Sequence, residues 1–302
     1  MQTGPKKVTK AVIAAAGFGT RFLPQTKAMP KEMLPLIDKP IIQYVVEELV
    51  EAGIKDIIIV GSSNKRSIED HFDFPSEDLV RNLEAGGEKK RPLLEQIQEI
   101  ANLANFVYVR QKGPYGLATP IACAAHLIGD EPFIYTLADD FFVAEKGRTK
   151  QLIETYEKYG GSVFACKRVT EDSEYDRYGV AAGEQVDDCT LQMKTIIEKP
   201  GKEKAPSNLA SVSGYLLVPE LLSYIEHATS EFDGTGELML QPIVQKMIDD
   251  DYKVYAREIE GGSYYDTGNK LVYLKTVVDF ALKDSEIGPQ LRCYLNKILG
   301  KS

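Results

Sequence analysis

Residues 11–35 read AVIAAAGFGTRFLPQTKAMPKEMLP, and this stretch decides the fold of the chain. The apolar run at 11–16 predicts a buried strand, and the glycine-rich turn GFGT at 17–20 follows it directly. Ligands bind at the carboxyl ends of strands in open α/β sheets, and glycine lets backbone N–H groups approach an anion because it has no Cβ. Arg21 and Lys31 follow ten residues apart in a segment that its prolines hold partly extended. The combination predicts a triphosphate site.

Two commoner glycine motifs do not fit this turn. A P-loop requires lysine and then serine or threonine at the end of an eight-residue frame, and nothing near Gly17 or Gly19 supplies them. A dinucleotide-binding fingerprint requires a third glycine where Phe22 stands, and the prolines at positions 24, 30 and 35 interrupt the helix that would receive the pyrophosphate. On this segment alone, a structural turn with incidental surface cations remains the alternative.

Composition excludes several classes of protein. The chain has 302 residues and a net charge of −9, which disfavours nucleic acid as a partner because a phosphate backbone demands a basic face. No apolar stretch approaches the roughly 20 residues that a membrane helix needs, so no membrane partner and a cytoplasmic location are expected. The four cysteines have no C-x-x-C spacing, which disfavours a zinc site or a disulfide framework and predicts reduced, mostly buried thiols.

The charge of the first 40 residues is opposite to that of the whole chain. This segment contains seven lysines and arginines but only two acidic residues, Glu32 and Asp38. Three of the lysines form an N-terminal arm that we expect to be solvated. Of the others, Arg21, Lys27 and Lys31 are candidates for binding a ligand. Resemblance to a known family favours Arg21 and Lys31 and implies that Lys27 lies on the surface.

Strand and helix patterns alternate along the whole chain and predict an α/β protein with a mostly parallel sheet. Strand patterns occur at 11–16, 57–60, 106–109, 133–137, 162–169, 191–197, 210–218 and 252–258. Helical periodicity occurs at 41–51, 88–104, 118–127, 148–158, 238–249, 269–283 and 286–299. We expect one domain over residues 1–302, with a first part at about 8–160, a β-rich part on the same sheet at about 161–268, and C-terminal helices at about 269–302. The polar stretch 61–92 is the best candidate for a mobile insertion.

The run from Gly17 to Pro40 resembles the signature of the sugar-1-phosphate nucleotidyltransferases. The wording GTRFLPQTKAMPKEMLPLIDKPIIQYVVEE, at 19–48, is most similar to bacterial uridylyltransferases that act on glucose 1-phosphate. Further matches follow in family order and extend the resemblance over about residues 10–280: Gln111 with Gly116-Leu117-Ala118, Asp139-Asp140, Tyr178-Gly179, Glu198-Lys199-Pro200, Val212-Ser213-Gly214-Tyr215, Gly236-Glu237 and Tyr265-Asp266-Thr267-Gly268. The resemblance implies a Rossmann-like open mixed sheet, mostly parallel, with helices on both faces and a β-rich sugar-binding part.

The resemblance implies that Mg²⁺ assists the reaction of UTP with glucose 1-phosphate to give UDP-glucose and pyrophosphate. The sugar phosphate attacks the α-phosphorus in line. Its second pKa is about 6, so it is already dianionic at neutral pH and needs no general base. The sequence, with only three histidines, shows no acyl-transfer arrangement, and phosphoryl-type transfer can proceed on positioning and charge stabilisation.

Residue roles follow from the same resemblance. Arg21 should hold the β- and γ-phosphates, and Lys199 should hold the sugar phosphate. Lys31 should neutralise negative charge near the α-phosphate. Asp139 and Asp266 are the metal ligands; only one of Asp139 and Asp140 should meet the metal, because successive side chains of an extended segment point oppositely. The nucleotide-binding residues are Ala15, Ala16, Gly17, Gly19, Thr20, Glu32, Gln111 and Gly116. The sugar-binding residues are Gly179, Glu198, Val212 and Gly214.

Some positions depart from the uridylyltransferase pattern and leave alternatives open. Ala14 stands where proline is usual, and Gly236-Glu237 is followed by LMLQPIV rather than by a Thr-Asp pair. The GLA wording at 116–118 and the SGY wording at 213–215 are closer to glucose-1-phosphate thymidylyltransferases, which are the alternative, together with other hexose-1-phosphate nucleotidyltransferases. A non-catalytic sugar-nucleotide sensor is disfavoured because the predicted catalytic and metal-binding residues are all retained. A Rossmann oxidoreductase is disfavoured by the missing third glycine. The resemblance also implies a homodimer or homotetramer.

Overall fold

The computed structural model describes residues 4–300. Its strands are β1 (Lys10–Ala15), β2 (Pro35–Leu36), β3 (Lys39–Pro40), β4 (Asp56–Gly61), β5 (Asn105–Arg110), β6 (Phe133–Leu137), β7 (Asp140–Ala144), β8 (Ser162–Arg168), β9 (Gly179–Asp187), β10 (Thr190–Glu198), β11 (Leu209–Leu217), β12 (Val254–Glu258) and β13 (Gly262–Asp266). Its α-helices are α1 (Ile41–Glu51), α2 (Arg66–Phe72), α3 (Glu77–Ala85), α4 (Arg91–Ala101), α5 (Ala118–Ile128), α6 (Arg148–Tyr159), α7 (Leu221–Ser230), α8 (Leu240–Asp249), α9 (Lys270–Lys283) and α10 (Gly288–Ile298).

Within the described residues, nine strands form one mixed sheet in the order β5-β4-β1-β6-β11-β8-β12-β10-β9. The pairs β5–β4, β4–β1 and β1–β6 are parallel, and the sheet becomes antiparallel where β11 joins β6. The predicted open mixed sheet is therefore confirmed, but it is not mostly parallel: four of its nine strand pairings are parallel, and three of these four are in the first part. The later strands pair antiparallel except for β8 with β12.

Strand β1 is buried on both faces, as its continuous apolar sequence predicts. Ile13 belongs to the core that includes α1, whereas Val12 belongs to the core on the opposite face, which includes α5, α7 and α8. Because alternate residues of one strand enter two cores, helices must cover both faces of the sheet.

The polar stretch 61–92, expected to be an insertion, instead contains α2 and α3. Ile68 and Phe72 of α2 are buried, and the Ser76 hydroxyl accepts a hydrogen bond from the Leu79 N–H at 3.4 Å at the start of α3. The segment is therefore helical, because a few apolar residues at helical spacing are enough to anchor an otherwise polar stretch, and its mobility stays a prediction.

Strands β7 and β13 were not predicted, and their pairing shapes the site. They form a separate two-stranded antiparallel sheet in which Asp266 is the register partner of Asp140. This pairing brings the turn after β13 beside the carboxyl end of β6, although more than a hundred residues separate the two in sequence.

The cysteines differ from expectation in their exposure. Cys166 is buried, Cys123 and Cys189 are partly exposed, and Cys293 is exposed. The prediction of mostly buried thiols is therefore wrong. Among residues 4–300, no helix is both long enough and apolar enough to cross a bilayer.

Candidate active site

A cavity of about 260 Å³ opens at the carboxyl ends of β1 and β6. It is lined by Ala14, Ala16, Gly17, Lys31, Glu32, Gln111, Tyr115, Gly116, Leu117, Pro120, Tyr135, Leu137, Asp139 and Glu237. Seven of these are among the nucleotide-binding, catalytic or metal-binding residues predicted from the sequence. The position agrees with the general rule that open α/β sheets bind ligands outside the carboxyl ends of their strands.

The glycine-rich turn folds back over the segment that carries Lys31. Gly19 adopts a left-handed backbone with φ 64°, and its carbonyl accepts a hydrogen bond from the Thr26 hydroxyl at 2.7 Å. A Cβ on Gly19 would lie only 3.0 Å from the Lys31 Cβ. Glycine is therefore required at this position for backbone conformation and for space.

Lys31 forms an ion pair with Asp139, whose Oδ2 lies 2.5 Å from the Lys31 Nζ. Burial by itself would lower the pKa of Lys31, but the carboxylates of Asp139, Glu32 and Asp140 outweigh burial and raise the pKa above its usual value. Lys31 is therefore a firmly charged cation on the wall of the cavity.

Asp139, Asp266 and Arg21 converge around Gly268. A Cβ built on Gly268 would lie 3.1 Å from Asp266 Oδ1, 3.3 Å from Asp139 Oδ2 and 3.5 Å from Arg21 Nη1. The Arg21 guanidinium also donates to the Gly268 carbonyl at 3.1 Å. Thr267 ties this turn to the end of β6, since its N–H donates to the Asp139 carbonyl at 3.1 Å. Two carboxylates and one guanidinium therefore share one small region.

The chemistry of this region fits a magnesium ion brought in with phosphates. Among the described residues there is no group of three or more His, Cys, Asp or Glu side chains placed to enclose a metal. Mg²⁺ commonly uses one or two carboxylates and completes its shell with water and substrate phosphate oxygens, so Asp139 and Asp266 suffice as protein ligands. Each already faces a cation, Asp139 facing Lys31 and Asp266 facing Arg177.

Asp140 points away from Asp139 and is 6% exposed. The Tyr264 hydroxyl donates to Asp140 Oδ2 at 3.0 Å, and the Arg148 Nη1 lies 3.8 Å from Asp140 Oδ1. Burial raises the pKa of Asp140 to about 7, with Arg148 opposing the rise and Asp139 adding to it. The two adjacent carboxylates diverge, as successive side chains of an extended segment should, and Asp140 belongs to a buried polar network.

Two of the residues predicted to bind the sugar, Gly179 and Glu198, form a second cluster with Lys199 beside the first. Gly179 and Glu198 are register partners on β9 and β10, and the Lys199 Nζ lies 3.5 Å from Glu198 Oε1. Burial raises the pKa of Glu198, and its Oε2 is buried without a hydrogen-bond partner. The Tyr178 hydroxyl donates to Asp266 Oδ2 at 3.2 Å and links this cluster to the carboxylates.

Val212 and Gly214 have packing roles in the structure. Val212 is buried in the core on the α1 face of the sheet. Gly214 has φ +111°, and a Cβ there would lie 2.5 Å from the Arg148 Cδ. Because Gly214 has no side chain, the Arg148 side chain can pack directly against its backbone. In the protein interior, Arg148 Nη2 lies 3.0 Å from Glu48 Oε2. Their predicted contacts with the sugar stay predictions.

Sequence reasoning missed Lys65 and Arg177. Lys65 lies within the stretch that was expected to be an insertion, yet its side chain is 3% exposed and paired with Glu32 at 2.8 Å. No local signal distinguishes it from the surface lysines around it. Arg177 pairs with Asp266 and directly precedes the Tyr178-Gly179 motif, so its position beside that motif was a signal that could have been used. Lys27 is exposed, as predicted.

Gly116 is held against the backbone of Leu238. The Leu238 N–H donates to the Tyr115 carbonyl at 2.7 Å, and the Ala118 N–H donates to the Leu238 carbonyl at 3.1 Å. Gly116 has φ +127°, and a Cβ there would lie 2.3 Å from the Leu238 carbonyl oxygen. This wall of the cavity therefore depends on the missing side chain.

We expect Gly116→Ala to lower the free energy of unfolding by more than the roughly 1–2 kcal/mol that a left-handed backbone costs an ordinary residue, because the new methyl group also collides with backbone. Gly113→Ala is the matched control, since Gly113 has φ +106° but a Cβ there would meet only the Thr119 Cγ2 at 3.6 Å. Urea unfolding of both variants measures the difference. Equal losses would mean that the contact with Leu238 does not constrain Gly116.

Comparison with protein families shows that the model of the family described as nucleotidyl transferase matches residues 10–281. The chain is 46% identical over 296 residues to the UTP–glucose-1-phosphate uridylyltransferase of Bacillus subtilis (strain 168), a match that covers 98% of this chain and 99% of that protein. It is 44% identical over 294 residues to the protein of the same name from Staphylococcus haemolyticus (strain JCSC1435), covering 97% of this chain and 99% of the relative.

Solved structures give the same picture. A UTP-bound UGPase from Acinetobacter baumannii superposes with a TM-score of 0.85 at 34% identity, covering 96% of this chain and 99% of that one. A UDP-glucose pyrophosphorylase complexed with UDP-glucose superposes with a TM-score of 0.80 at 36% identity, covering 92% of this chain and 100% of that one. A Bacillus anthracis protein solved in complex with sucrose shares the fold, with a TM-score of 0.67 at 22% identity, covering 90% of this chain and 95% of that one.

Proposed function

The chain belongs to the nucleotidyl transferase family, and from this premise we propose that it converts UTP and glucose 1-phosphate to UDP-glucose and pyrophosphate. The observation that carries the proposal is the convergence of Asp139, Asp266 and Arg21 around Gly268, with Lys31 paired to Asp139 beside the cavity. Bringing two polyanions together needs this combination of fixed cations and metal-binding carboxylates.

The reaction is an in-line attack of the sugar phosphate on the α-phosphorus of UTP. The nucleophile is already a dianion because its second pKa is about 6, so no side chain has to remove a proton. Lys31 stabilises the charge that develops at the α-phosphate, and Arg21 holds the β- and γ-phosphates with its fork of donors. Lys199 holds the sugar phosphate. Positioning and electrostatics account for the whole mechanism.

Asp139 and Asp266 would hold Mg²⁺ together with phosphate oxygens and water. When bound, the ion would neutralise phosphate charge and align the reacting groups. Lys31 pairs with Asp139 and Arg177 pairs with Asp266, so a cation lies beside each carboxylate. The cavity wall with Glu32, Gln111 and Gly116 would receive the base. Glu198 would accept two sugar hydroxyls.

We expect UTP to be preferred over ATP, GTP and CTP, with dTTP the nearest competitor. Uracil and thymine share one hydrogen-bonding edge, so only the 5-methyl group and the ribose 2′-hydroxyl can discriminate between UTP and dTTP. The measurement is pyrophosphate release with a panel of nucleotides and hexose 1-phosphates, with and without Mg²⁺. A preference for dTTP would make the protein a thymidylyltransferase, and no release with any pair would leave only a non-catalytic sensor.

Self-association into a homodimer or homotetramer is part of the proposal. Helices α9 and α10 expose large apolar side chains, among them Leu271 at 61%, Leu274 at 59% and Tyr294 at 61%. Exposed apolar patches often mark sites of protein association. Light scattering would give a multiple of the 33.6 kDa chain mass if the chains associate. A cytoplasmic location is also proposed, because charged nucleotides and sugar phosphates do not cross membranes unaided.

A further inference from the structure

A buried ion pair connects two walls of the cavity. The Lys65 side chain is 3% exposed and that of Glu32 is fully buried. The Lys65 Nζ donates to Glu32 Oε2 at 2.8 Å and to the Gly17 carbonyl at 2.6 Å. Lys65 therefore joins the glycine-rich turn to the segment that carries Glu32, and both Gly17 and Glu32 line the cavity.

One oxygen of Glu32 is left for a ligand. Oε2 is engaged by Lys65, whereas Oε1 is buried and has no hydrogen-bond partner. A buried acceptor without a partner is destabilising, so a donor that enters the cavity and reaches Oε1 would recover that loss. Because Glu32 lines the same cavity as Gln111 and Gly116, the donor is expected to belong to the nucleotide.

The charge on Glu32 depends on its neighbours. Burial raises the pKa of Glu32, the cations Lys65 and Lys31 oppose the rise, and Asp139 adds to it. Burial lowers the pKa of Lys65, with Glu32 and Asp139 opposing and Lys31 adding to the effect. Lys31 forms its ion pair with Asp139, whereas Lys65 forms its ion pair with Glu32. Loss of the Lys65 charge would therefore raise the pKa of Glu32 further, and Glu32 would stay protonated up to a higher pH.

We propose that Lys65 is a positioning residue for nucleotide selection: it keeps Glu32 ionised and fixed, so that Oε1 accepts the N3–H of uracil or thymine and repels cytosine. The inference rests on the proposed function. An ionised carboxylate can only accept hydrogen bonds, and N3 is a donor in uracil and thymine but an acceptor in cytosine. A site that pairs a buried polar group with the substrate rejects an analogue lacking the partner group by as much as 10⁴–10⁵.

The test is Lys65→Met, which removes the charge and keeps an unbranched apolar side chain of similar size. We expect the ratio of kcat/KM for UTP to that for CTP to fall at least about tenfold, because a protonated Glu32 can donate to the cytosine N3. The corresponding ratio for UTP and dUTP should stay within about twofold, since the ribose is not involved. In the variant, the UTP-to-CTP ratio should rise again as the pH is raised and Glu32 ionises, a dependence that a merely structural lysine would not produce.

Lys27→Met is the matched control, because Lys27 is exposed and should leave both ratios unchanged. Removing one member of a buried pair can unfold a protein, so the double variant Lys65→Met with Glu32→Gln provides a second test without an unpaired buried charge. It should show the same loss of discrimination, since an amide can present either a donor or an acceptor.

An unchanged UTP-to-CTP ratio in both variants would overturn the inference. A change in the UTP-to-dUTP ratio instead would also overturn it, because Glu32 would then contact the ribose. Failure of the proposed function is distinguishable, since the parental protein itself would then release no pyrophosphate from UTP and glucose 1-phosphate.

Discussion

Replacement of Lys31 by methionine is expected to slow the chemical step by a factor on the order of 10² or more, while glucose 1-phosphate binding stays nearly intact. The substitution keeps the length of the side chain but removes the cation that lines the cavity and pairs with Asp139 at 2.5 Å. Carboxylates around Lys31 raise its pKa, so the charge that is lost would otherwise be present throughout the neutral range. Single-turnover rates with saturating UTP and glucose 1-phosphate measure the effect.

Lys27→Met is the control for the loss of a lysine from the same segment, because that side chain is exposed. Its single-turnover rate should stay within about twofold of the parental rate, as is usual for surface substitutions away from special features. If Lys31→Met behaved in the same way, Lys31 would be a structural partner of Asp139 only, and the triphosphate site predicted from the glycine-rich turn would lose its central cation.

The elements that could be predicted from sequence are those whose pattern is local. The run at 11–16 and the helix at 41–51 are buried along most of their length, and their apolar periodicity reports that burial directly. The α/β class followed from the alternation of such segments, whereas the mixed sheet was implied by the family resemblance. Strands β7 and β13 could not be predicted in this way, because each is short and is defined by pairing with the other far away in sequence.

The site was predictable where motif and chemistry coincide. Gly17, Lys31, Glu32 and Asp139 meet at one cavity, as the motifs imply. Lys65 could not be predicted because a lysine in a polar stretch is ordinarily solvated, and only the tertiary structure places it against Glu32. A motif also does not show whether a residue contacts a ligand or serves packing. Gly214 in the SGY motif is an example, because in the structure it leaves room for the Arg148 side chain.

The predicted metal ligands carry the other large expected effect. Asp139→Asn and Asp266→Asn should each reduce turnover at limiting Mg²⁺ by a factor on the order of 10² or more, because a neutral amide is a poor ligand for a hard dication. Weaker binding of Mn²⁺ in the presence of UTP, followed by electron paramagnetic resonance, would give the same answer without turnover. Asp38→Asn, an exposed aspartate in the turn between β2 and β3, is the control and should change neither quantity.

The stability of the same variants separates a metal site from a structural ion pair. Asp139 faces Lys31, and Asp266 faces Arg177, with 13% and 20% of the two carboxylate side chains exposed. If these pairs served only the fold, their loss would appear in the free energy of unfolding and not in the metal dependence. Asparagine keeps an acceptor for each cation, and partly exposed ion pairs contribute roughly 0–1 kcal/mol, so the unfolding free energy should change by about 1 kcal/mol or less. Turnover should fall all the same, because catalysis needs the carboxylate charge at the metal whereas the fold needs only an acceptor. Near-parental turnover of either variant at limiting Mg²⁺ would remove that aspartate from the metal site, whatever its effect on stability.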